Sequence, residues 1–177
     1  MKRIILQYEQ VDLILTRLAH QLVENHSDFS NTALLALQPR GTLLGQALLQ
    51  KLKSLFNIEV NYGTLDTTFH RDDFRRSDKP LVPNEVNIDF DIEGKRIILI
   101  DDVLYTGRSI RAALDAVNDY GRPDSIELVT LINRKYRREV PIQPDYVGEE
   151  IDSRVDDYVK VDWEEKNCKV WIITDNT

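Results

Sequence analysis

The feature that most constrains this chain is a short apolar segment that ends in two acids. Residues 96–100 read Arg-Ile-Ile-Leu-Ile, a pattern typical of a strand buried on both faces of a parallel sheet. Asp101 and Asp102 follow directly, and residues 110–117 then place apolar side chains at helical spacing. A strand, a polar loop and a helix in this order predict one unit of an α/β fold.

The first third of the chain shows the same alternation. Apolar side chains at helical spacing predict a helix over residues 11–22, which ends near residues 25–27. Residues 33–37 are continuously apolar and predict a buried strand, and helical spacing resumes over residues 44–55. Residues 58–69 are rich in Val, Tyr and Thr, which predicts another strand.

The rest of the chain predicts mainly strands. Residues 86–90 alternate between apolar and polar side chains, and residues 126–132 form an apolar run. Between them, Gly121 fits a left-handed cap at the end of the predicted helix, and Pro123 prevents its continuation. The last third shows no helical spacing and predicts an appended β-rich cap. Its candidate strands lie around residues 146–147, 158–161 and 170–173.

The composition predicts a single domain that spans residues 1–177. The chain is 42% hydrophobic and 30% charged, as is usual for a globular domain. Its net charge of −7 argues against indiscriminate nucleic-acid binding. Cys168 is the single cysteine, so no internal disulfide can form. The N-terminus turns polar too early for a signal peptide, and no apolar run has membrane-spanning length, so we expect a cytoplasmic protein.

The acid pair lies where α/β proteins bind their ligands, beyond a buried strand. Thr106, Gly107 and Ser109 follow at the predicted helix start, where hydroxyls and unsatisfied N–H groups can cradle a phosphate. Acids beside a phosphate loop predict a phosphorylated polyol as ligand. The two carboxylates can orient ribose hydroxyls and a hydrated magnesium ion, and they can stabilise positive charge at C1 when pyrophosphate leaves. Ribose 5-phosphate would then be the transferred group.

A purely structural interpretation is that the acids end a strand and Ser109 caps a helix. The ordered combination of strand, acid pair, loop and helix favours the ligand site instead. A receiver domain fits less well, because it carries its acid pair near the N-terminal strand. Neither a Walker motif nor a Gly-x-Gly-x-x-Gly turn occurs, so the sequence does not support nucleotide hydrolysis or nicotinamide chemistry.

Residues 97–109 resemble the signature with which type I phosphoribosyltransferases bind phosphoribosyl pyrophosphate (PRPP). The string Asp-Asp-Val-Leu-Tyr-Thr-Gly-Arg at 101–108 is most similar to the PyrR family, which combines pyrimidine-operon attenuation with uracil phosphoribosyltransferase activity. Further matching segments are residues 16–20, 40–41, 71–73, 121–123 and 145–148. The resemblance implies a type I phosphoribosyltransferase fold, in which helices flank a central, mostly parallel sheet, with a β-rich hood and a flexible flap loop.

The resemblance also implies roles for individual residues. It places catalysis at Asp101 and Asp102, with magnesium held near them through PRPP and water. Arg40 and Gly41 correspond to a pyrophosphate loop, although Pro39 stands where the family usually has threonine, and a simple turn is the alternative interpretation. The other implied PRPP contacts are Arg71, Val103, Leu104, Tyr105, Thr106, Gly107, Arg108 and Ser109.

Two further regions have implied contacts with the substrates. Residues 70–79 correspond to the flap that closes over PRPP, with a solvated charged loop as the alternative interpretation. Arg134 and Arg137 correspond to the start of the base-binding hood, although surface arginines are common. Because such hoods often read the base through backbone groups, the side chains do not identify it. A phosphoribosyltransferase for another base therefore stays an open alternative.

The second implied activity is regulation, in which the protein senses uridine nucleotides (UMP or UTP) and binds pyrimidine-operon leader RNA. Thr16 and His20 match an RNA-facing pair of the family, with an ordinary solvated helix face as the alternative. Asn25, Gln143 and Glu149 stand where we expect Arg or Lys in the best RNA regulators, which predicts weaker RNA binding. The resemblance also implies a homodimer or homotetramer.

Overall fold

The computed structural model describes residues 1–70, 85–154, 156–164 and 167–174. The helices are α1 (Tyr8–His26), α2 (Gly41–Phe56) and α3 (Arg108–Val117), with a short 3-10 turn at Thr68–His70. The strands are β1 (Lys2–Leu6), β2 (Thr32–Leu37), β3 (Asn61–Leu65), β4 (Arg96–Leu104), β5 (Ser125–Arg134), β6 (Tyr146–Ile151), β7 (Asp157–Glu164) and β8 (Asn167–Thr174). Within the described residues, no helix is long and apolar enough to cross a membrane.

Five strands form a parallel main sheet in the order β3-β2-β4-β5-β6. Successive residues of its central strand β4 enter opposite cores, because side chains alternate across a strand. Ile98 and Ile100 pack with α1 and α2, whereas Ile97 and Leu99 pack with α3. These four side chains are fully buried, which explains why the segment is continuously apolar. The prediction of an α/β fold with helices on both faces of the sheet is confirmed.

A second, antiparallel sheet in the order β1-β8-β7 forms the hood, and it confirms the prediction of a β-rich cap. Two details of that prediction were wrong. The segment around residues 146–147 belongs to the main sheet, where β6 pairs parallel with β5. The N-terminal strand β1, which the sequence did not predict, completes the hood by pairing with β8. Both differences arise from pairing between distant segments, which local patterns do not encode.

Three local predictions also need correction. The strand predicted over residues 58–69 is shorter and extends only over β3. The alternating segment of residues 86–90 makes a single bridge, between Asn87 and Thr64, instead of a strand. Helix α3 ends before Asn118, so Gly121 is not its cap. Gly121 instead has φ of 147° in the following turn, where an added Cβ would lie 3.3 Å from the backbone N of Glu93.

The predicted flap lies almost entirely outside the described residues. Only His70 of residues 70–79 is described, and Arg71 is not. The imidazole Nε2 of His70 lies 3.0 Å from Oδ2 of Asp119, just beyond α3. The flap and the PRPP contact at Arg71 therefore stay predictions.

Candidate active site

A cleft of about 650 Å³ lies between the carboxyl ends of β2 and β4 and the hood. This is the edge at which parallel sheets bind ligands. The predicted site residues that line the cleft are Arg40, Asp101, Asp102, Val103, Tyr105, Ser109 and Arg134. The hood closes the cleft from the other side with Asp156, Asp157, Tyr158 and Val159. The fold therefore brings the acid pair, Arg40 and the hood around one cavity.

Asp101 and Asp102 lie inside β4, because the strand continues to Leu104 instead of ending at Ile100. The side chain of Asp101 accepts a hydrogen bond from the backbone N–H of Asp102 at 3.0 Å. Burial, reinforced by the negative charge of Asp102, raises the pKa of Asp101 to about 8. Burial also raises the pKa of Asp102, although the charge of Arg40 opposes this shift. Asp102 is buried and Asp101 is half-buried, and two adjacent carboxyls with restricted access to water form a site that attracts positive charge.

Arg40 reaches the acid pair because α2 begins almost in contact with β4. A Cβ on Gly41 would lie 2.3 Å from the carbonyl oxygen of Ile100, so a side chain at this position would push the helix away. The guanidinium lies 6.0 Å from the ring of Tyr158. Burial disfavours its charge, but the nearby side chain of Tyr158 and the charges of Asp102 and Asp101 together raise the pKa of Arg40. Arg40 is thus a permanent cation beside the acids.

The loop between β4 and α3, residues 105–107, leads into a helix start, where backbone N–H groups can bind an anion, and we call it the phosphate loop. Gly107 immediately precedes α3 with φ of 87°, a conformation that favours glycine. The backbone N–H of Arg108 points towards the hydroxyl of Thr106 at 3.4 Å. Ser109, in the first turn of the helix, lines the cleft. The backbone N–H groups of a helix start, which lack partners within the helix, therefore lie beside two hydroxyls.

The other predicted PRPP contacts do not all face the cleft. Leu104 is buried in the core on the α3 side of the sheet. Gly107 is covered from behind, since an added Cβ would lie 2.6 Å from Cγ2 of Val140. The exposed Arg108 pairs through Nε with the carboxylate of Glu139. Leu104 and Gly107 therefore shape the loop, and any contact they make with a ligand involves their backbone.

Arg134 lies at the end of β5 and is almost fully buried. Its guanidinium stacks 3.9 Å from the centre of the Tyr105 ring. The Nε atom donates to the hydroxyl of Ser153 at 2.8 Å, and Nη2 donates to the carbonyl of Arg154 at 3.2 Å. Arg134 therefore joins the phosphate loop to the segment that leads into the hood. Arg137, its predicted companion, does not line the cleft.

Tyr158 is one of the cleft residues that sequence reasoning missed. It lies next to the start of β7, is 45% exposed, and faces Arg40 across the cleft. An aromatic side chain in a predicted hood strand was the available signal, but one tyrosine in an alternating strand is more simply interpreted as ordinary packing. Its position opposite Arg40 depends on how the two sheets are arranged.

Thr16 and His20, the predicted RNA-facing pair, lie on α1 outside the cleft. The hydroxyl of Thr16 donates to the carbonyl of Asp12 at 2.9 Å, within the helix. The ring of His20 packs edge-on against Phe56 of α2, with 4.8 Å between ring centres. His26, at the end of the helix, is buried and hydrogen-bonded to Glu127 at 3.0 Å, which supports a structural role.

The phosphoribosyl transferase domain family matches residues 3–166. Together with the acid pair of β4 and the adjoining phosphate loop, this match shows that the chain is a type I phosphoribosyltransferase. The chain belongs to the PyrR family within this class. It is 44% identical over 157 residues to the bifunctional protein PyrR of Picosynechococcus sp., covering 89% of this chain and 88% of that protein. The corresponding protein of Deinococcus radiodurans is 41% identical over 164 residues, covering 93% and 89%.

Solved structures show the same fold at lower identity. The hypoxanthine phosphoribosyltransferase of Trypanosoma cruzi matches with a TM-score of 0.71 and 16% identity, covering 95% of both chains. A hypoxanthine-guanine phosphoribosyltransferase from Bacillus anthracis matches with a TM-score of 0.70 and 18% identity, covering 96% of this chain and 97% of that one. These likenesses establish the architecture and leave the base undefined. The predictions of the fold, the enzyme class and the PyrR family are confirmed.

Proposed function

We propose that this chain transfers ribose 5-phosphate from PRPP to uracil and forms UMP and pyrophosphate. The observation that carries the proposal is the position of Asp101 and Asp102 between Arg40 on one side and the phosphate loop on the other. Asp102 is buried there, and Asp101 is half-buried. This arrangement provides two anion sites with a negatively charged centre between them. Such a distribution matches a sugar with a pyrophosphate at C1 and a phosphate at C5.

Each part of the site has a distinct task in this reaction. The bond from C1 to the pyrophosphate oxygen breaks, a bond from C1 to N1 of uracil forms, and the departing pyrophosphate takes up the proton that N1 loses. Arg40 is placed to hold the departing pyrophosphate, while the phosphate loop and Ser109 hold the 5-phosphate. Asp102 and the ionised form of Asp101 stabilise the positive charge that develops on the ribose, a stabilisation that is stronger in a cleft shielded from water.

Magnesium fits this site as a hydrated ion. The part of the chain that the structure describes contains no group of three or more His, Cys, Asp or Glu side chains able to hold a metal. Two adjacent carboxylates can nevertheless bind the water shell of magnesium, which is usually retained when the ion accompanies phosphates. When bound, the ion would neutralise charge on the leaving pyrophosphate. Asp101 and Asp102 would orient its water ligands and the ribose hydroxyls.

The choice of uracil rests on membership of the PyrR family, because no described side chain identifies the base. A panel of free bases separates uracil from the alternatives. We expect pyrophosphate release from PRPP with uracil and much less with cytosine, hypoxanthine, guanine or orotate. Preferred use of a purine would replace the proposed substrate and leave the enzyme class intact.

A second function, supported by the same family membership, is uridine-nucleotide-dependent binding of pyrimidine-operon leader RNA. It is compatible with catalysis, since UMP or UTP would occupy the cleft while RNA contacts the outer face that contains α1. Assembly into dimers or tetramers, the cytoplasmic location and a single domain over residues 1–177 stay predictions.

Replacing Thr106 and Ser109 together by Ala should raise the Michaelis constant for PRPP. Thr106 lies in the phosphate loop and Ser109 lines the cleft in the first turn of α3, and losing two neutral hydrogen bonds to a phosphate should weaken PRPP binding about tenfold or more. The turnover number should change less, because the acid pair is untouched. Calorimetry with PRPP measures the effect directly, and an unchanged dissociation constant would contradict the phosphate-loop assignment.

Replacing Asp101 by Asn should stabilise the unliganded protein more at alkaline than at acidic pH. An aspartate in the unfolded chain titrates near 3.8, whereas burial and the charge of Asp102 raise the pKa of Asp101 to about 8. Between these values the folded protein retains a proton that the unfolded chain has lost, so this carboxyl destabilises the fold increasingly as the pH rises. Urea titrations of both proteins at about pH 5 and about pH 8 test this. A stability difference that is the same at both pH values would contradict the shifted pKa.

A further inference from the structure

We propose that Arg138 is a positioning residue that aims the backbone of the phosphate loop at the 5-phosphate. The inference rests on the proposed function, because it takes the 5-phosphate as the ligand of this loop. Arg138 lies in the segment between β5 and β6, behind the loop and outside the lining of the cleft. It therefore acts on the ligand only through the loop.

The guanidinium of Arg138 joins the loop to the main sheet. One of its Nη atoms donates to the carbonyl of Tyr105, and the other donates to Oδ1 of Asn133 at 2.6 Å. Asn133 is a buried residue near the end of β5, so it provides a rigid anchor. Both Nη atoms of Arg138 are thus engaged inside the protein, and burial lowers the pKa of its guanidinium. These contacts leave the side chain poorly suited to bind a ligand itself.

The two residues after Arg138 hold the next peptide unit of the loop. The backbone N–H groups of Glu139 and Val140 donate to the carbonyl of Thr106 at 2.9 and 3.3 Å. The side chain of Val140 fills the space that a Cβ on Gly107 would need. Residues 138–140 therefore bind two successive carbonyls of the phosphate loop from the same side.

This arrangement fixes the direction of the loop's N–H groups. In a trans peptide unit the carbonyl and the following N–H point in opposite directions. Among the described residues the only cis bond is Gln38-Pro39, so the loop peptides are trans. With the carbonyls of Tyr105 and Thr106 turned towards residues 138–140, the N–H groups of Thr106 and Gly107 point away from that segment. Successive N–H groups that share one side of a turn form an anion-binding nest.

The test compares the binding of two fragments of PRPP. Arg138→Met keeps an unbranched apolar chain beside Gly107 but removes both hydrogen bonds. We expect the dissociation constant of ribose 5-phosphate, measured by calorimetry, to rise about tenfold, because one peptide unit of the nest loses its fixed direction. The inhibition constant of pyrophosphate should be unchanged, because pyrophosphate is assigned to Arg40. In steady-state assays the Michaelis constant for PRPP should rise more than the turnover number falls.

Two further variants separate positioning from loss of charge or of folding. Arg138→Lys retains a donor that can reach one carbonyl, so it should raise the same dissociation constant by a smaller factor, and it decides the question if Arg138→Met does not fold. Arg122→Met removes one exposed arginine near the opposite end of the sheet and should bind both fragments as the unaltered protein does.

The possible contrary results are distinguishable. Unchanged ribose 5-phosphate affinity in Arg138→Met, or an equal loss of affinity for both fragments, would overturn the positioning role while PRPP turnover by the unaltered protein still supports the proposed function. An unaltered protein that binds neither PRPP nor ribose 5-phosphate would overturn the proposed function and this inference with it.

Discussion

Asp101→Asn and Asp102→Asn should each lower the turnover number with uracil and PRPP by about 100-fold or more, without loss of folding stability. Removing one preorganised electrostatic contact to a charged transition state typically has an effect of this size. Both side chains are held inside β4 by the backbone, so an isosteric amide can occupy the same place. Stability should not fall, because the substitution removes a carboxyl whose charge is disfavoured by burial.

The measurement pairs steady-state kinetics with urea denaturation of each variant. Asp115→Asn is a matched control, since this exposed residue of α3 undergoes the same chemical change away from the cleft. Its turnover should equal that of the unaltered protein. Wild-type turnover in both acid-pair variants would show that the assigned catalytic centre is wrong. A large loss of stability in either variant would mean that the acids have a structural role as well.

RNA binding should be weaker by orders of magnitude than in relatives with a fully basic face, at physiological salt. Each cation that contacts a phosphate contributes through counterion release, and Asn25, Gln143 and Glu149 are not cations. In the structure, the side-chain amide of Asn25 donates to the hydroxyl of Tyr146 at 3.0 Å. Glu149 is exposed on β6, where it would repel a phosphate.

Nearby arginines can replace fewer of the missing phosphate contacts than their number implies. Arg137 and Arg138 are adjacent cations that could replace lost contacts. The two Nη atoms of Arg138 already donate to the carbonyl of Tyr105 and to Oδ1 of Asn133. Arg17, also on α1, donates to the carbonyls of Val147 and Gly148. Of these arginines, Arg137 is left as the candidate for compensation.

Filter binding with pyrimidine-operon leader RNA, in the presence of UMP, tests this expectation. Glu149→Lys should tighten binding about tenfold and make it more salt-dependent, because it replaces a repulsive charge by a phosphate contact. Asp115→Lys makes the same change of charge on α3, on the opposite face of the main sheet from α1, and should have little effect. Tight, sequence-selective binding by the unaltered protein would reverse the ranking of catalysis over regulation.

The amino-acid sequence determined strands β2 to β5 of the main sheet and the chemistry of its central strand. A strand buried on both faces must be continuously apolar, so residues 96–100 were recognisable without any contact information. The acids and the Thr-Gly turn are close together in the sequence, and they also lie close together in the structure. Local order was therefore sufficient to predict that the acid pair and the turn before α3 lie together, while their contacts with a ligand stay predictions.

Only the tertiary structure decided which distant segments complete the site. The pairing of β1 with β8, the place of β6 in the main sheet and the approach of Tyr158 to Arg40 depend on contacts between residues far apart in the chain. The same holds for Arg138, whose sequence neighbourhood suggests a surface cation. Its role follows from its hydrogen bond to a carbonyl 33 residues earlier. The sequence specifies the chemical type of each side chain. Which partner a side chain contacts depends on packing, and packing is a property of the whole fold.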